Sequence, residues 1–308
     1  MKIYNHIDEF RDVKNPIVTI GTFDGVHLGH QKIFELMKIN AEKYDGETVV
    51  ITFYPHPRLV LHSDSKDLKF INTQKRKVEL LELAGVDHLI IVNFTREFSR
   101  LNSATFIREY LVDKIKTKKL IIGYDHHFGK NRLGDFSTLY DLGHKHGFEV
   151  EKLAAQNVEN IAISSTKIRR ALNEGKIKIA NALLGYDYSI TGTVVRGQKI
   201  GRTIGFPTAN IELEDEYKLV TANGVYACKV AHDGKIYKGM GNIGLRPTVM
   251  HSELTIEVNI FDFDKEIYDE SITIYFIDRI RDEIKFDNLA GLRNQLQLDK
   301  ITVLGILK

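Results

Sequence analysis

Between Pro16 and about Ala154 the chain alternates apolar β-rich runs with helical ones: IVTIGTF, GHQKIFELMKINAEKY, TVVITFYP, TQKRKVELLELAG and HLIIVNF. That order leaves little choice of architecture. Strand, helix and strand in succession are the grammar of the βαβ crossover, which joins parallel neighbours and covers the sheet with helices on both faces. KLIIGY and FEVEKLA continue the pattern. Ligands of such sheets bind beyond the carboxyl ends of the strands, so the residues after IVTIGTF are the first place to look for chemistry.

After Leu184 and Gly185 the grammar changes. YSITGTVVRG, GVYACKVAH, KIYKGMGNIG, LTIEVNIFDF and SITIYFIDRI alternate in character and are separated by Gly, Asp and Asn, as expected of an antiparallel β domain. His232-Asp233-Gly234-Lys235 reads as a hairpin, because Asp-Gly accepts the positive φ angles of tight hairpin turns. A helix near NLAGLRNQLQLD closes the domain, and the amphipathic run IRRALNEGKIKIANALLG joins the halves without a flexible linker. At 308 residues the chain exceeds what one core organises comfortably. The expected domains are 1–185 and 186–308.

Forty-three Lys and Arg against 41 Asp and Glu leave a net charge of +2, with no basic excess to mark a nucleic-acid partner. The single cysteine, Cys228, cannot form an internal disulfide and fits a reducing compartment. No apolar run is long enough for a signal peptide or a membrane span, so a cytoplasmic protein with no membrane partner is expected.

The strongest local signal is the turn after the first long strand. Gly21, Phe23, Asp24 and Gly25 lead into His27-Leu28-Gly29-His30, and a helix follows at once. Backbone N–H groups and the positive end of a helix dipole gather there, as phosphate oxygens require, and two histidines add side-chain donors. A zinc reading is weak without a third Cys or His ligand nearby. In Ile163-Ser164-Ser165-Thr166-Lys167-Ile168-Arg169, hydroxyls at a helix start precede two cations.

A second glycine-rich stretch runs from Gly192 to Asn210. Gly197, Gly201 and Gly205 permit close backbone approach, while Arg196, Lys199 and Arg202 supply charge, but neither this spacing nor that of Gly123–Lys130 is Walker A. Gly239–Gly244 spells GxGxxG without a helix after it, and is expected to be a strand turn rather than a dinucleotide site.

Taken in order, GTFDGVHLGH, TFYPHP, GYDHHFG to GDF, ISSTKIR, GRTIGFPTAN, NGVYA and GNIGLRPT resemble the prokaryotic bifunctional riboflavin kinase/FAD synthetase family over nearly the whole chain. The resemblance implies an α/β, Rossmann-like nucleotidyltransferase domain followed by an antiparallel β-barrel riboflavin kinase domain. It implies ATP, riboflavin, FMN and FAD as ligands. In the first domain it puts ATP on Gly21, Phe23, Asp24, Gly25, His27, Gly29, His30, Ser164, Ser165, Thr166 and Arg169, with His27 and His30 catalytic. It puts flavin near Phe53, Pro55, His56, Pro57, Asp125 and Phe128. By residue type alone, TFYPHP fits a rigid strand exit as well as a binding loop.

In the second domain the resemblance puts ATP on Gly197, Lys199, Gly201, Arg202, Gly205, Pro207, Thr208 and Asn210, magnesium on Thr208 and Asn210, and flavin beside Arg281, Glu283 and Phe286. Glu257 is the implied catalytic base. The chain departs from the family pattern at His126, where an aromatic is usual, and at Asn259, where His is common. The residue types suit the two reactions. The FMN phosphate is already ionised and needs only alignment and charge neutralisation, whereas a ribityl hydroxyl must lose its proton.

Overall fold

The computed structural model describes residues 1–61, 68–123, 136–154, 157–158, 161–197, 199–247 and 252–308. These form two compact units, Met1–Ser165 and Thr166–Lys308. The first is built on six parallel strands: β1 (Lys2–Tyr4), β2 (Ile17–Ile20), β3 (Thr48–Tyr54), β4 (His88–Asn93), β5 (Lys119–Ile122) and β6 (Glu149–Lys152), in the order β1-β4-β3-β2-β5-β6. Every residue of β2 and β5 is buried. Both read as unbroken apolar-rich runs because helices cover the two faces.

Helix α1 (Leu28–Tyr44) links β2 to β3; α2 (Pro57–Leu61) and α3 (Gln74–Leu83) lie between β3 and β4. Next come α4 (Ser103–Phe106), running into a π-helical segment Ile107–Lys114, and α5 (Phe136–His146) between β5 and β6. Val18, Ile20, Val49, Ile51, Ile90 and Leu120 from the strands pack with Ile107 and Leu111. The chain leaves β2 toward β3 but leaves β5 toward β6, on the opposite side, so these neighbours form the topological switch point of the sheet. The turn after Ile20 stands at that crevice. A short hairpin, β7 (Asn157–Val158) and β8 (Ile161–Ala162), ends the unit.

The second unit holds a closed antiparallel barrel: β9 (Ser189–Val195), β10 (Ala209–Leu213), β11 (Gly224–His232), β12 (Lys235–Pro247), β13 (Ser252–Ile260) and β14 (Ser271–Arg281), ordered β10-β13-β12-β11-β14-β9. Asp233 and Gly234 take positive φ of 47° and 70°, and His232 pairs with Lys235, so the hairpin is the tight one expected. Gly239–Gly244 is not the turn expected of it. It lies inside β12, paired with β11 on one side and β13 on the other. A Cβ on Gly241 would make ordinary contacts with the Cys228 sulfur at 3.6 Å and the Phe276 ring at 3.9 Å, so this glycine faces the barrel interior. Burial pushes the Cys228 thiol up to about 12, which leaves it unreactive.

The expected linking run is two helices, α6 (Ser165–Asn173) and α7 (Ile177–Leu184), separated by Gly175 at φ +70°. The apolar side of α7 is buried through Ile177, Ala180, Leu183 and Leu184, and Asn181 bonds to Phe276 O and Tyr188 N, both at 2.8 Å. The stretch before Gly185 therefore folds with the barrel. A one-turn helix, α8 (Ile200–Thr203), follows β9, and α9 (Leu289–Ile306) closes the unit, packing Val303 on Val225, Ala227 and Met240.

The clasp that holds α9 is an ion pair. Asp299, 3% exposed, takes Arg281 Nε at 3.0 Å on each oxygen and Nη2 at 2.6 Å, while Gln295 donates to it at 2.9 Å. Removing one partner of a buried pair strands the other charge. Asp299→Ala is expected to destabilise the barrel unit by about 3–5 kcal/mol, read as an earlier barrel transition in chemical denaturation.

Candidate active sites

At the first site the backbone is strained. Phe23 and Val26 hold φ of 49° and 38°, positions that non-glycine residues rarely occupy, and Gly25 sits between them at 88°. The strain is held by tethers. The Asp24 carboxylate accepts from the backbone of Ile71 at 3.0 Å and Asn72 at 3.3 Å, and the Ser165 hydroxyl donates to the Asp24 carbonyl at 2.9 Å. Ser165 of ISSTKIR thus reaches the turn directly, whereas the Asp24 carboxylate is buried as a brace.

His27 caps α1, its Nδ1 accepting from the His30 N–H at 3.3 Å. In a neutral ring that leaves the proton on Nε2. The two imidazoles stack with centroids 3.6 Å apart and 14° between planes, and the Phe23 ring stands edge-on to His30 at 5.2 Å. Gly29 leaves room for this arrangement, since a Cβ would press on the His27 ring at 3.2 Å. Burial, and then the neighbouring His27, hold His30 well below 6.5. Its Nδ1 is shielded from solvent and has no hydrogen-bond partner among the described residues. A helix N-terminus, capped by one imidazole and backed by a second, is a receptor for anionic oxygen.

One residue here escaped the sequence reading. The Lys77 ammonium, buried on α3, donates to the Thr22 carbonyl at 3.3 Å and the Thr52 hydroxyl at 3.2 Å. Burial lowers it to about 8, against the attraction of Asp24. Phe53 joins Phe94 and Phe98, at 5.6 and 5.9 Å, in an aromatic cluster. The Tyr54–Pro55 bond is cis; His56 packs on Phe70 at 4.5 Å and its Nδ1 accepts from Arg58 N at 3.1 Å, just where Pro57 opens α2. Asp125, Phe128 and His126 lie outside the described residues.

The second site is on the barrel wall. Ile256, Val258 and Ile260 fill the inside of β13, so the alternating Glu257 and Asn259 lie on its outer face. Glu257 pairs across the ladder with Asn210 on β10 and with Asn242 on β12, and directly opposed residues share a face. Thr208 Oγ1 is 3.4 Å from Glu257 Oε2. The Asn259 amide donates to the Pro207 carbonyl at 2.6 Å, next to Thr208 in the chain.

The glycines of the preceding stretch make room. A Cβ on Gly197 would overlap the Asn210 amide, and one on Gly201 would overlap the Phe206 carbonyl, while Gly205 takes φ +83°. Arg196 and Lys199 rest over the Tyr268 ring at 5.5 and 5.8 Å, and Arg202 meets Glu266 at 3.4 Å. Glu283 lies against Gly244 and accepts from the Asn223 amide at 3.3 Å. Phe286 lies near Gly291 at the start of α9. Arg281 is committed to Asp299. Sequence reading did not single out Asn242, although its pairing opposite Glu257 could be sought once β12 and β13 were aligned as a hairpin.

A family model for FAD synthetase matches residues 10–167, and one for riboflavin kinase matches residues 184–307. The bifunctional riboflavin kinase/FMN adenylyltransferase of Listeria monocytogenes is 40% identical over 95% of this chain and 92% of its own length. That of Bacillus subtilis is 40% identical over 92% and 90%. A crystal structure described as a macrolide-efflux protein from Streptococcus pneumoniae is similar at TM-score 0.90 and 34% identity, covering 98% of this chain and 97% of that one. Among the described residues, no helix is long and apolar enough to cross a membrane.

Proposed function

The chain belongs to the bifunctional riboflavin kinase/FMN adenylyltransferase family, and from that premise we propose how its residues divide the two reactions. The enzyme phosphorylates riboflavin with ATP to give FMN, then transfers AMP from a second ATP to FMN, giving FAD and pyrophosphate. We assign adenylyl transfer to residues 1–185 and phosphorylation to 186–308. The observation that carries the first assignment is the stacked His27–His30 pair at the N-terminus of α1, on a strained turn at the switch point of the sheet.

In adenylyl transfer an FMN phosphate oxygen bonds to the α-phosphorus of ATP while the bond to the bridging α–β oxygen breaks. No proton need move. The work is neutralisation and alignment, for which the α1 N–H groups, His27, His30 and the hydroxyls and cation of Ser164, Ser165, Thr166 and Arg169 are the proposed donors. Phe53, Pro55, His56, Pro57, Asp125 and Phe128 are the proposed flavin side.

In phosphorylation the ribityl oxygen bonds to the γ-phosphorus as the β–γ bridge breaks, and Glu257 takes the hydroxyl proton. Gly197, Lys199, Gly201, Arg202, Gly205, Pro207, Thr208 and Asn210 would hold ATP. Thr208 and Asn210 offer hard oxygens beside Glu257, too few to cage a cation but suited to magnesium that completes its shell with phosphate oxygens. Bound there, the ion would neutralise charge on the phosphates. Glu283 and Phe286 would flank the flavin, on a segment that Arg281 pins to α9. The lone buried Cys228 favours the cytoplasm as compartment.

The test is chromatography of flavins after incubation with ATP and magnesium, started in parallel from riboflavin and from FMN. FAD is expected from both. FAD from FMN alone would remove the kinase assignment, and no product from either would remove both.

A further inference from the structure

Lys77 occupies a place where its helix otherwise buries leucine. The buried positions of α3 are Lys77, Leu80 and Leu81, and only 7% of Lys77 is exposed. Two of its three donors are used, on the Thr22 carbonyl and the Thr52 hydroxyl, and that hydroxyl also reaches the same carbonyl at 3.5 Å. No carboxylate stands within ion-pair distance of it among the described residues; Asp24 attracts it through space. A cation so placed opposes folding, and an unbranched apolar side chain would fill the position without that penalty.

What the ammonium does, and an alkyl group cannot, is grip one carbonyl. That carbonyl belongs to the peptide entering Phe23, whose φ is +49° and whose ring stands against His30. We propose that Lys77 is a positioning residue for adenylyl transfer, its ammonium fixing the Thr22–Phe23 peptide so that Phe23 seats the His30 ring against the triphosphate. The proposal rests on the assignment of His30 to that reaction.

Lys77→Met keeps the length and removes the charge. A small misplacement of a transition-state contact costs rate rather than binding, so kcat for FAD formation is expected to fall by about 10- to 100-fold, with KM for ATP and FMN within about threefold of wild type. FMN formation stays unchanged, and the melting temperature is equal or higher, which a merely structural role would not produce. Thr52→Val, close to isosteric, is expected to lower kcat less, and the double variant to be no slower than Lys77→Met, because both act through one carbonyl. Wild-type kcat in Lys77→Met, or a lower melting temperature as its only change, overturns the proposal. If that variant does not fold, an unchanged kcat in Thr52→Val overturns it. His30→Ala assayed alongside separates the failures: a wild-type rate there refutes the role of His30, whereas a slow His30→Ala beside an unslowed Lys77→Met refutes the positioning role alone.

Discussion

Glu257→Gln is expected to slow riboflavin phosphorylation by about 10²–10⁴-fold, the range of a lost general base, while FAD formation from FMN keeps its wild-type rate. The amide is nearly isosteric with the carboxylate, so the pairing with Asn210 and Asn242 across the barrel wall can persist. Only the capacity to accept the hydroxyl proton disappears. The loss should fall on kcat more than on KM for ATP, because the phosphates are assigned to the 197–210 stretch rather than to Glu257. Steady-state rates from riboflavin and from FMN, measured on one preparation, check the prediction. An equal fall in both would show a general defect, and no fall in the first would remove Glu257 from the chemistry.

His30→Ala should produce the opposite split. Loss of one preorganised donor at a developing charge costs about 10²–10³-fold in kcat, here in FAD formation, with FMN formation spared. The same variant has a second signature. Burial holds His30 well below 6.5 in the folded protein, while an unfolded histidine protonates near its ordinary value. The unfolded chain therefore binds more protons as the pH falls through that window, and folded stability declines from about pH 6.5 downward. His30→Ala is expected to lose its share of that decline, read by denaturation at neutral and mildly acidic pH.

Much of this molecule was legible from residue order. The short apolar-rich runs IVTI and KLII, set between helical stretches, read as strands covered on both faces, and the glycine-bearing exit from the first of them drew attention to the proposed site. Asp-Gly fixed its hairpin because few other pairs tolerate two successive positive φ angles. What stayed hidden depended on partners distant in sequence. Gly239–Gly244 looked like a turn, since glycine weakens a strand, but pairing with β11 on one side and β13 on the other keeps it extended in the barrel wall. The pairing of Arg281 with Asp299 stayed hidden too, because the carboxylate comes from the last helix. Lys77 carried a signal that was passed over: it is in helical phase with Leu80 and Leu81, and a charge on an apolar stripe points inward.

The helix α6 has its first residue in one compact unit and the rest in the other. A fragment cut after Ser165 would keep every strand of the parallel sheet, yet would forfeit Thr166 and Arg169, two of the proposed triphosphate donors. A fragment cut after Gly185 would recover them, but would carry α7 with the apolar residues Ile177, Ala180, Leu183 and Leu184 stripped of the barrel that covers them. Neither cut keeps both the proposed grip and the packing of α7 intact. A fragment meant to carry adenylyl transfer alone therefore has to keep α6 and exchange the apolar residues of α7 for polar ones, so that the severed end does not become an adhesive surface.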